Sequence, residues 1–441
     1  MMTRHDAETI LSIAVQSPGA DELFVSLTET EITTRSVAGQ HPHPLHHSSG
    51  LTLAITARVG TRYGRVSGNV YEQADIRALV ARAATLAAQM PETTEVLPFP
   101  GAIDVAEAAT YFPDDGGAMW EESWRGITSL REDPTTASCL AFGSIASTST
   151  VRALASSNGL FVYQPSSLGH AQFRCYTEDG RSTGFAERFR PDRTVLAPRD
   201  VLRDAVDTCL RWRGAKEIKP GRITTIFSPR ALADMLQPML RQFSTRAIAD
   251  DQSFLRRLDG SSFLGSTLFD TRVTLRSDPY DARVPSLPFT ADGEPVTARH
   301  WVSAGVIAQL VTDRYEAAAV NRPVVAPPSN LIIDVADPVA DLIADTEYGL
   351  LLHGFANLNI LDPKNCLLTG STRDGLFLIE KGRIVGPVRN LILRETPVYL
   401  FKELQAFGMP EVVSPTGSYF PMLLPPMKVK DVMYSQPSSL I

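Results

Sequence analysis

Apolar residues recur every three or four positions in several segments, which places them on one face of an α-helix. This spacing predicts helices over about 6–15, 72–89, 119–132 and 198–212. Alternating apolar and polar residues predict strands at 22–30 and 51–60, and the strand-like residues 149–179 follow further along. The proline-rich segment 90–102 predicts a linker. The first 218 residues therefore combine long helices with strands.

After Gly214 the pattern changes to short apolar runs separated by Gly, Pro, Asp and Asn, which predicts a β-rich domain. Within it, "LFLIEKGRIVGPV" predicts a hairpin that turns at Lys381 and Gly382, because glycine accepts the positive φ of a tight turn. We predict an α+β fold in three parts. These are an N-terminal α/β domain over 1–100, a central α+β domain over 101–218 and a β-rich C-terminal domain over 219–441.

The segment "ALADMLQPMLRQFS", residues 231–244, has a helical apolar stripe that contains a proline. Ser228 and Pro229 predict a helix start, with serine as the N-cap and proline at the first helical position. Proline inside a helix removes a backbone donor and clashes with the preceding turn, at a cost of about 3 kcal/mol. We therefore predict a helix from Pro229 to about Gln237, where Pro238 disturbs it.

Composition and charge exclude several functional classes. The 441 residues are 44% hydrophobic, enough for packed cores, and the net charge is −7 with acidic and basic residues mixed along the chain. This balance argues against nucleic acid and anionic membranes as partners. The N-terminal sequence matches neither a signal peptide nor a membrane span, so we expect a cytoplasmic protein. The four cysteines are far apart, which predicts reduced thiols.

Several residues invite a chemical role. "HPHPLHHSSG" contains four histidines, but prolines keep it extended and no carboxylate or cysteine stands nearby, so a surface loop is favoured over a metal site. Two single histidines are interpreted as structural, and four acidic residues as turn residues rather than an acidic pair. The sequence has no G-x-S-x-G, G-x-G-x-x-G or P-loop motif. These residues are His41, His43, His46 and His47, then His300 and His353, then Asp278, Asp281, Asp292 and Glu294.

Several co-linear motifs then resemble one family. They are "RVGTRYGRVSGN", "ALASSNGLFVYQ", "PGRITTIFSPRALADML" and the long stretch "GLLLHGFANLNILDPKNCLLTGSTRDGLFLIEKGRIVGPVRNLILRETPV". In this order they resemble the TldD/PmbA family, known as modulators of DNA gyrase, whose members are metallopeptidases or their partner subunits. The resemblance covers nearly the whole length and implies the three-part fold predicted above.

The resemblance also places the family's metal site on this sequence. In the TldD branch the helix after the "SP" cap carries H-E-x-x-x-H, and a C-terminal cysteine completes the metal shell. Here the first histidine falls on Gln237, the glutamate on Pro238 and the second histidine on Gln242. Residues 411–432 contain no cysteine. We therefore expect no metal and no catalytic residue in this chain, and interpret Pro238 as marking an inherited distortion of a former metal-binding helix.

The pattern resembles the PmbA, or TldE, branch, whose members lack this motif. The resemblance implies a non-catalytic subunit of a TldD-type metallopeptidase that forms part of a cleft for extended, unfolded peptides. A TldD-like partner that holds the zinc is expected in a heterodimer, with a homodimer as the other assembly. The polar stretch Thr372, Arg373, Asp374 and Gly375, interpreted as a turn, is the candidate contact for the partner or the substrate.

A second function stays open at this point. A diverged family member could act with a specialised partner in a dedicated pathway for peptide or small-molecule natural products. Gene neighbours would separate the two, since a TldD-like gene with an intact motif favours the first function and a biosynthetic cluster favours the second.

Overall fold

The structure is a computed structural model that describes residues 1–39, 41–70, 72–113, 117–132, 136 and 138–440. Before residue 212, the described residues form four helices: α1 (Arg4–Val15), α2 (Gln73–Gln89), α3 (Ala118–Glu132) and α4 (Pro198–Arg211). They also form the strands β1 (Glu22–Ala38), β2 (His41–Pro42), β3 (His46–Val59), β4 (Arg62–Asn69), β5 (Cys139–Ser156), β6 (Phe161–Thr177) and β7 (Thr183–Arg190). All four predicted N-terminal and central helices are present within about two residues of their predicted ends.

These strands make one antiparallel sheet in the order β4-β3-β1-β5-β6-β7, with β2 paired to β1. β1 pairs with β5 from Phe24 to Ala38, so strands from residues 1–100 and from residues 101–218 share a sheet. The helices cover one face: α1 and α2 pack on Val25, Leu27 and Ala153, and α3 and α4 pack on Ile145 and neighbouring strand residues. On the opposite face, Phe24 of β1 and Leu154 of β5 pack with Phe289 of the C-terminal domain.

After residue 212 the described chain is rich in strands, as predicted. The strands are β8 (Arg222–Phe227), β9 (Leu275–Ser277), β10 (Arg299–Ser303), β11 (Val306–Ile307), β12 (Leu331–Ile333), β13 (Tyr348–Asp362), β14 (Leu367–Glu380), β15 (Arg383–Pro387), β16 (Leu391–Glu395), β17 (Leu404–Phe407), β18 (Glu411–Val413), β19 (Met422–Leu424) and β20 (Met427–Pro437). The helices are α5 (Pro229–Leu240), α6 (Thr245–Ala249), α7 (Arg314–Ala319) and α8 (Pro397–Lys402).

These strands form two sheets around a shared core. One runs β11-β10-β9-β12-β19-β18, and the other runs β13-β8-β20-β16-β14-β15. Because β13 also pairs with β14, strands β13, β8, β20, β16 and β14 close into a ring of pairings. The apolar stripe of α5 lies in the core beside this ring, with Leu232, Met235, Leu236 and Met239 fully buried. The mixed α+β fold predicted from the sequence is confirmed.

The predicted hairpin is present, and β14 turns into β15 at Lys381 and Gly382, which have φ of 49° and 74°. Two successive positive φ angles are the geometry that two-residue hairpins prefer. The predicted break in α5 is wrong, because the helix continues through Pro238 to Leu240. Pro238 lies in the last turn and costs one backbone hydrogen bond, while the burial of Met235 and Met239 on both sides of it stabilises the helix.

Within the described residues, no helix is long and apolar enough to span a membrane.

Candidate functional site

The start of α5 is fixed to strand β13. The Ser228 hydroxyl accepts a hydrogen bond from the Ala231 backbone N–H at 3.1 Å and donates one to the His353 carbonyl at 2.8 Å. The Ser228 backbone N–H donates to the Leu352 carbonyl at 2.9 Å. The predicted serine cap is confirmed, and its hydroxyl also ties α5 to a neighbouring strand.

The three positions on which the resemblance places the metal motif do not share one helix face. Gln237 and Pro238 are in the last turn of α5 and are partly buried, while Gln242 lies beyond the end of the helix and is 3% exposed. The Gln242 side-chain carbonyl accepts a hydrogen bond from the Phe254 N–H at 3.3 Å, and its backbone carbonyl accepts one from the Ser253 hydroxyl at 2.7 Å. Gln242 therefore holds the segment that follows α6.

The C-terminal stretch over residues 411–432, where the resemblance places a cysteine in the TldD branch, reaches α5. Asp234 of α5 accepts hydrogen bonds from the Thr416 N–H at 2.7 Å and from the Thr416 hydroxyl at 3.0 Å. The neighbouring Gly417 N–H donates to Glu187 of β7 at 2.9 Å. Among the described residues, no group of three or more His, Cys, Asp or Glu side chains is arranged to hold a metal ion.

The histidine-rich segment is mostly strand rather than loop, which corrects the prediction. His41 belongs to β2, and His46 and His47 begin β3, where they pair with Thr34 and Thr33 of the long strand β1. A ring nitrogen of His47 lies 3.1 Å from the Thr33 hydroxyl. Of the two prolines that suggested a loop, Pro42 lies in β2 and only Pro44 lies in the connection at residues 43–45.

The stretch from Thr372 to Gly375 lies inside β14, so its interpretation as a turn is wrong. Thr372 pairs with Phe355 and Arg373 with Gly354, next to a register shift in the β13 to β14 pairing. Asp374 and Gly375 have φ of 61° and 117°. Asp-Gly is common in turns because both residues tolerate positive φ, and here the same property serves a β-bulge.

Asp374 joins the two halves of the molecule. Its side chain is 3% exposed and forms a double hydrogen bond with the Arg174 guanidinium of β6, in which Nη2 donates to Oδ2 at 3.3 Å and Nη1 donates to Oδ1. The Arg174 guanidinium lies 4.6 Å from the ring centre of Phe185, and the Arg230 guanidinium lies 4.9 Å from the same ring. These residues couple the N-terminal sheet to the start of α5.

Beside this cluster lies a cleft of about 410 Å³, which we call the interdomain cleft, between β7, α4 and the start of α5. Its charged lining comprises Arg188, Arg211, Arg230, Glu187, Asp204, Asp207 and Glu411. Arg188 and Asp204 form an ion pair at 2.5 Å, and burial raises the pKa of Asp204. Of the predicted candidate contacts, Gly375 lies beside this cleft, because a Cβ there would lie 3.1 Å from the ring of His353, which lines it.

His353 lines the interdomain cleft, with its ring centre 5.6 Å from that of Phe377. Burial lowers its pKa to about 4, and the positive charges of Arg230 and Arg211 contribute. The imidazole is therefore neutral at physiological pH, in agreement with a structural histidine. His300 is instead exposed on β10. The acidic residues Asp278 and Asp281 accept hydrogen bonds from the backbone two residues on, at Tyr280 and Arg283, as expected of turn residues.

The low pKa of His353 predicts a pH-dependent stability. Below pH about 6.5 the unfolded chain binds a proton that the native imidazole excludes, so the free energy of unfolding should fall between pH 6.5 and 4, by about 3 kcal/mol in total. His353→Gln should remove this part of the pH dependence in urea unfolding at several pH values. His300→Gln, at an exposed site, is the matched control and should keep it. An unchanged pH dependence in His353→Gln would contradict the assignment.

The C-terminal part of the chain matches one known protein family. Residues 220–436 match the family model described as the PmbA/TldA metallopeptidase C-terminal domain. The C-terminal half of the chain belongs to the TldD/PmbA family. The resemblance found in the sequence motifs is thereby confirmed. No curated protein sequence matches the chain significantly.

Solved structures extend the similarity of fold to the N-terminal and central parts. TldE from Thermococcus kodakarensis is 17% identical, with a TM-score of 0.83 over 97% of this chain and 99% of that chain. A "putative modulator of DNA gyrase" from Bacteroides thetaiotaomicron is 20% identical, with a TM-score of 0.83 over 99% and 100%. A third structure, of the same description and from Thermotoga maritima, is 15% identical, with a TM-score of 0.77 over 94% and 96%. TldD/PmbA-type architecture therefore spans nearly the whole chain.

Proposed function

We propose that this chain is the non-catalytic, TldE-like subunit of a TldD-type metallopeptidase and forms one wall of a cleft that binds extended peptides. The observation that carries this proposal is which residues and contacts helix α5 has. Its capped start and its contact with the C-terminal stretch are in place, but Gln237, Pro238 and Gln242 occupy the positions of the ligands and the general base.

The chemistry of these side chains supports the proposal. An amide is a poor zinc ligand beside a neutral imidazole, and proline can neither accept nor donate a proton. The Gln242 carbonyl is already bonded to the Phe254 N–H, so this side chain stabilises the fold. A partner with an intact motif would supply the zinc and the general base, and this chain would supply binding surface.

The surface of the sheet supports association with a partner. On the face of β5 opposite helices α3 and α4, Leu140 is 37% and Phe142 is 41% exposed, and the Phe142 ring centre lies 6.1 Å from that of Tyr176. Grouped apolar side chains of this kind commonly mark protein interfaces. An extended peptide bound through its backbone between two subunits needs a second wall without catalytic residues.

The test is assembly with a TldD-like protein from the same genome that has an intact H-E-x-x-x-H motif. Size-exclusion chromatography with light scattering should give a one-to-one complex, and metal analysis after dialysis should find zinc in the partner and none in this chain. Phe142→Asp should weaken the complex. Leu258→Asp, at a fully exposed loop residue, is the control and should leave it intact.

Two results would contradict the proposal. The first is a stable monomer in the presence of the partner, and the second is one tightly bound zinc per isolated chain. A homodimer that does not exchange subunits with the partner would count against the heterodimer. It would restrict the proposal to an assembly made of copies of this chain.

A further inference from the structure

A second cleft, of about 490 Å³, lies between the N-terminal sheet and the C-terminal domain. Its floor includes Thr148, Thr150 and Arg152 of β5, and its opposite wall includes Tyr419, Phe420 and Pro421. We call it the Arg152 cleft. Its volume falls within the range of small-molecule pockets. It does not share residues with the interdomain cleft as lined above.

The alternation of side chains along β5 directs these residues into the cleft. Val151 and Ala153 pack in the core beneath α1 and α2, so Thr150 and Arg152 project from the opposite face. On β6, Gln164 pairs with Arg152 and holds the Ala108 backbone, with hydrogen bonds of 2.8 and 2.9 Å. The Gln164 side-chain amide also donates to the hydroxyl of Thr110 at 2.8 Å, and Thr110 lines the cleft.

Arg152 is an uncompensated positive charge. Among the described residues its side chain has no hydrogen-bond or ion-pair partner, although Arg193 and Arg174 on the same part of the molecule are bonded to hydroxyls or a carboxylate. The surrounding cleft walls lower the pKa of Arg152 and no nearby carboxylate raises it, yet the side chain is exposed to solvent and the guanidinium stays charged at any physiological pH. Arg152 is therefore a charged group that lines a cleft, is accessible from it and has no partner within the described residues, so it is available to bind an anion.

We propose that the Arg152 cleft binds the C-terminal carboxylate of a short peptide. The planar guanidinium suits a carboxylate, with which it forms two parallel hydrogen bonds. The Thr148 and Thr150 hydroxyls add donors beside it, and the Tyr419, Phe420 and Pro421 wall offers an apolar surface to the last side chain of the peptide. The surrounding protein raises the pKa of Tyr419, which is still 37% exposed, so its phenol stays protonated and can donate as well.

The choice of a peptide carboxylate rests on the proposed function, since each peptide cleavage produces a new C-terminal carboxylate. The proposal that Arg152 binds an anion does not depend on that function, because Arg152 and the other cleft residues named above all belong to this chain. A free phosphate would share the chemistry of the charge but not the apolar wall.

The test is calorimetric titration of the isolated chain with N-acetyl-Ala-Ala-Phe as the free acid and as the C-terminal amide. We expect the acid to bind and the amide to bind about 10- to 100-fold more weakly, as loss of a charged hydrogen-bond partner requires. Arg152→Gln should weaken binding of the acid by a similar factor, and Arg152→Lys should weaken it less. Arg77→Gln, at an exposed arginine on α2, is the control and should bind as the natural chain does.

Inorganic phosphate should displace the acid only at much higher concentration, because it cannot use the apolar wall. The proposal is overturned if neither peptide binds, if acid and amide bind equally, if Arg152→Gln binds the acid normally, or if phosphate binds as tightly as the acid. Thermal unfolding of each variant establishes that it is folded. Failure here would leave complex formation with the TldD-like partner unaffected, so the two proposals fail separately.

Discussion

Replacing Asp374 with alanine should lower the free energy of unfolding by about 3 kcal/mol, the lower end of the range for breaking a buried ion pair. Asp374 is 3% and Arg174 is 22% exposed, so the substitution leaves a partly buried guanidinium without its carboxylate. The adjacent Arg373 cannot replace the lost carboxylate, because it is itself a cation and lies 3.8 Å from the Asp374 carboxylate in the natural chain. Urea unfolding measures the loss.

Backbone strain must be separated from the loss of charge in this measurement. Asp374 has a φ of 61°, a region that asparagine tolerates much better than alanine. Asp374→Asn therefore isolates the charge and should retain most of the destabilisation. A double-mutant cycle with Arg174→Met should give a coupling energy of more than about 1 kcal/mol. A stability of Asp374→Asn within about 0.5 kcal/mol of the natural chain would contradict this role for the pair.

The sequence predicted the features whose causes are local. The cap at Ser228 and the turn at Lys381 and Gly382 depend on hydrogen bonds and φ preferences within four residues, and both are present. Helices predicted from apolar spacing are present because the same residues that set the period are the ones that pack on the sheet.

The errors arise where distant residues decide the outcome. Asp374 and Gly375 satisfy a turn and a bulge equally well, and only the pairing of β14 with β13 selects the bulge. Pro238 breaks an isolated helix, but burial of α5 in the C-terminal core overrides it. The histidines at 46 and 47 extend β3 because β1 is long enough to pair with them.

The contact cluster between the two halves of the molecule could not be predicted from the sequence. Arg174 and Asp374 are 200 positions apart, and no local pattern marks either as a partner. Arg230 was the one residue with a usable signal, because it follows the predicted cap and must lie at the start of α5. Phe185, which lies near both guanidinium groups, had none.

The second prediction with a large expected effect concerns which of the two subunits has the peptidase activity. The natural chain alone should not cleave an unfolded peptide, and a mixture with the intact TldD-like partner should. Changing the motif glutamate of the partner to glutamine removes its general base, and should lower the rate by about 100- to 10,000-fold. No substitution at Gln237, Pro238 or Gln242 of this chain should have a comparable effect on the rate.

Rebuilding the motif in this chain is the matched control. Gln237→His, Pro238→Glu and Gln242→His together restore two histidines and a glutamate, but residues 411–432 still provide no cysteine. The change at Gln242 also removes the acceptor of the Phe254 hydrogen bond. Groups that orient metal ligands typically account for about 10- to 100-fold in affinity or activity. We expect the rebuilt chain alone to cleave no faster than the natural chain.

The most direct measurement is the rate of cleavage of an unfolded peptide by the isolated natural chain, with and without a metal chelator. We predict no cleavage in either condition, and chelator-sensitive cleavage once the TldD-like partner is added. Chelator-sensitive cleavage by the isolated chain would contradict the non-catalytic role.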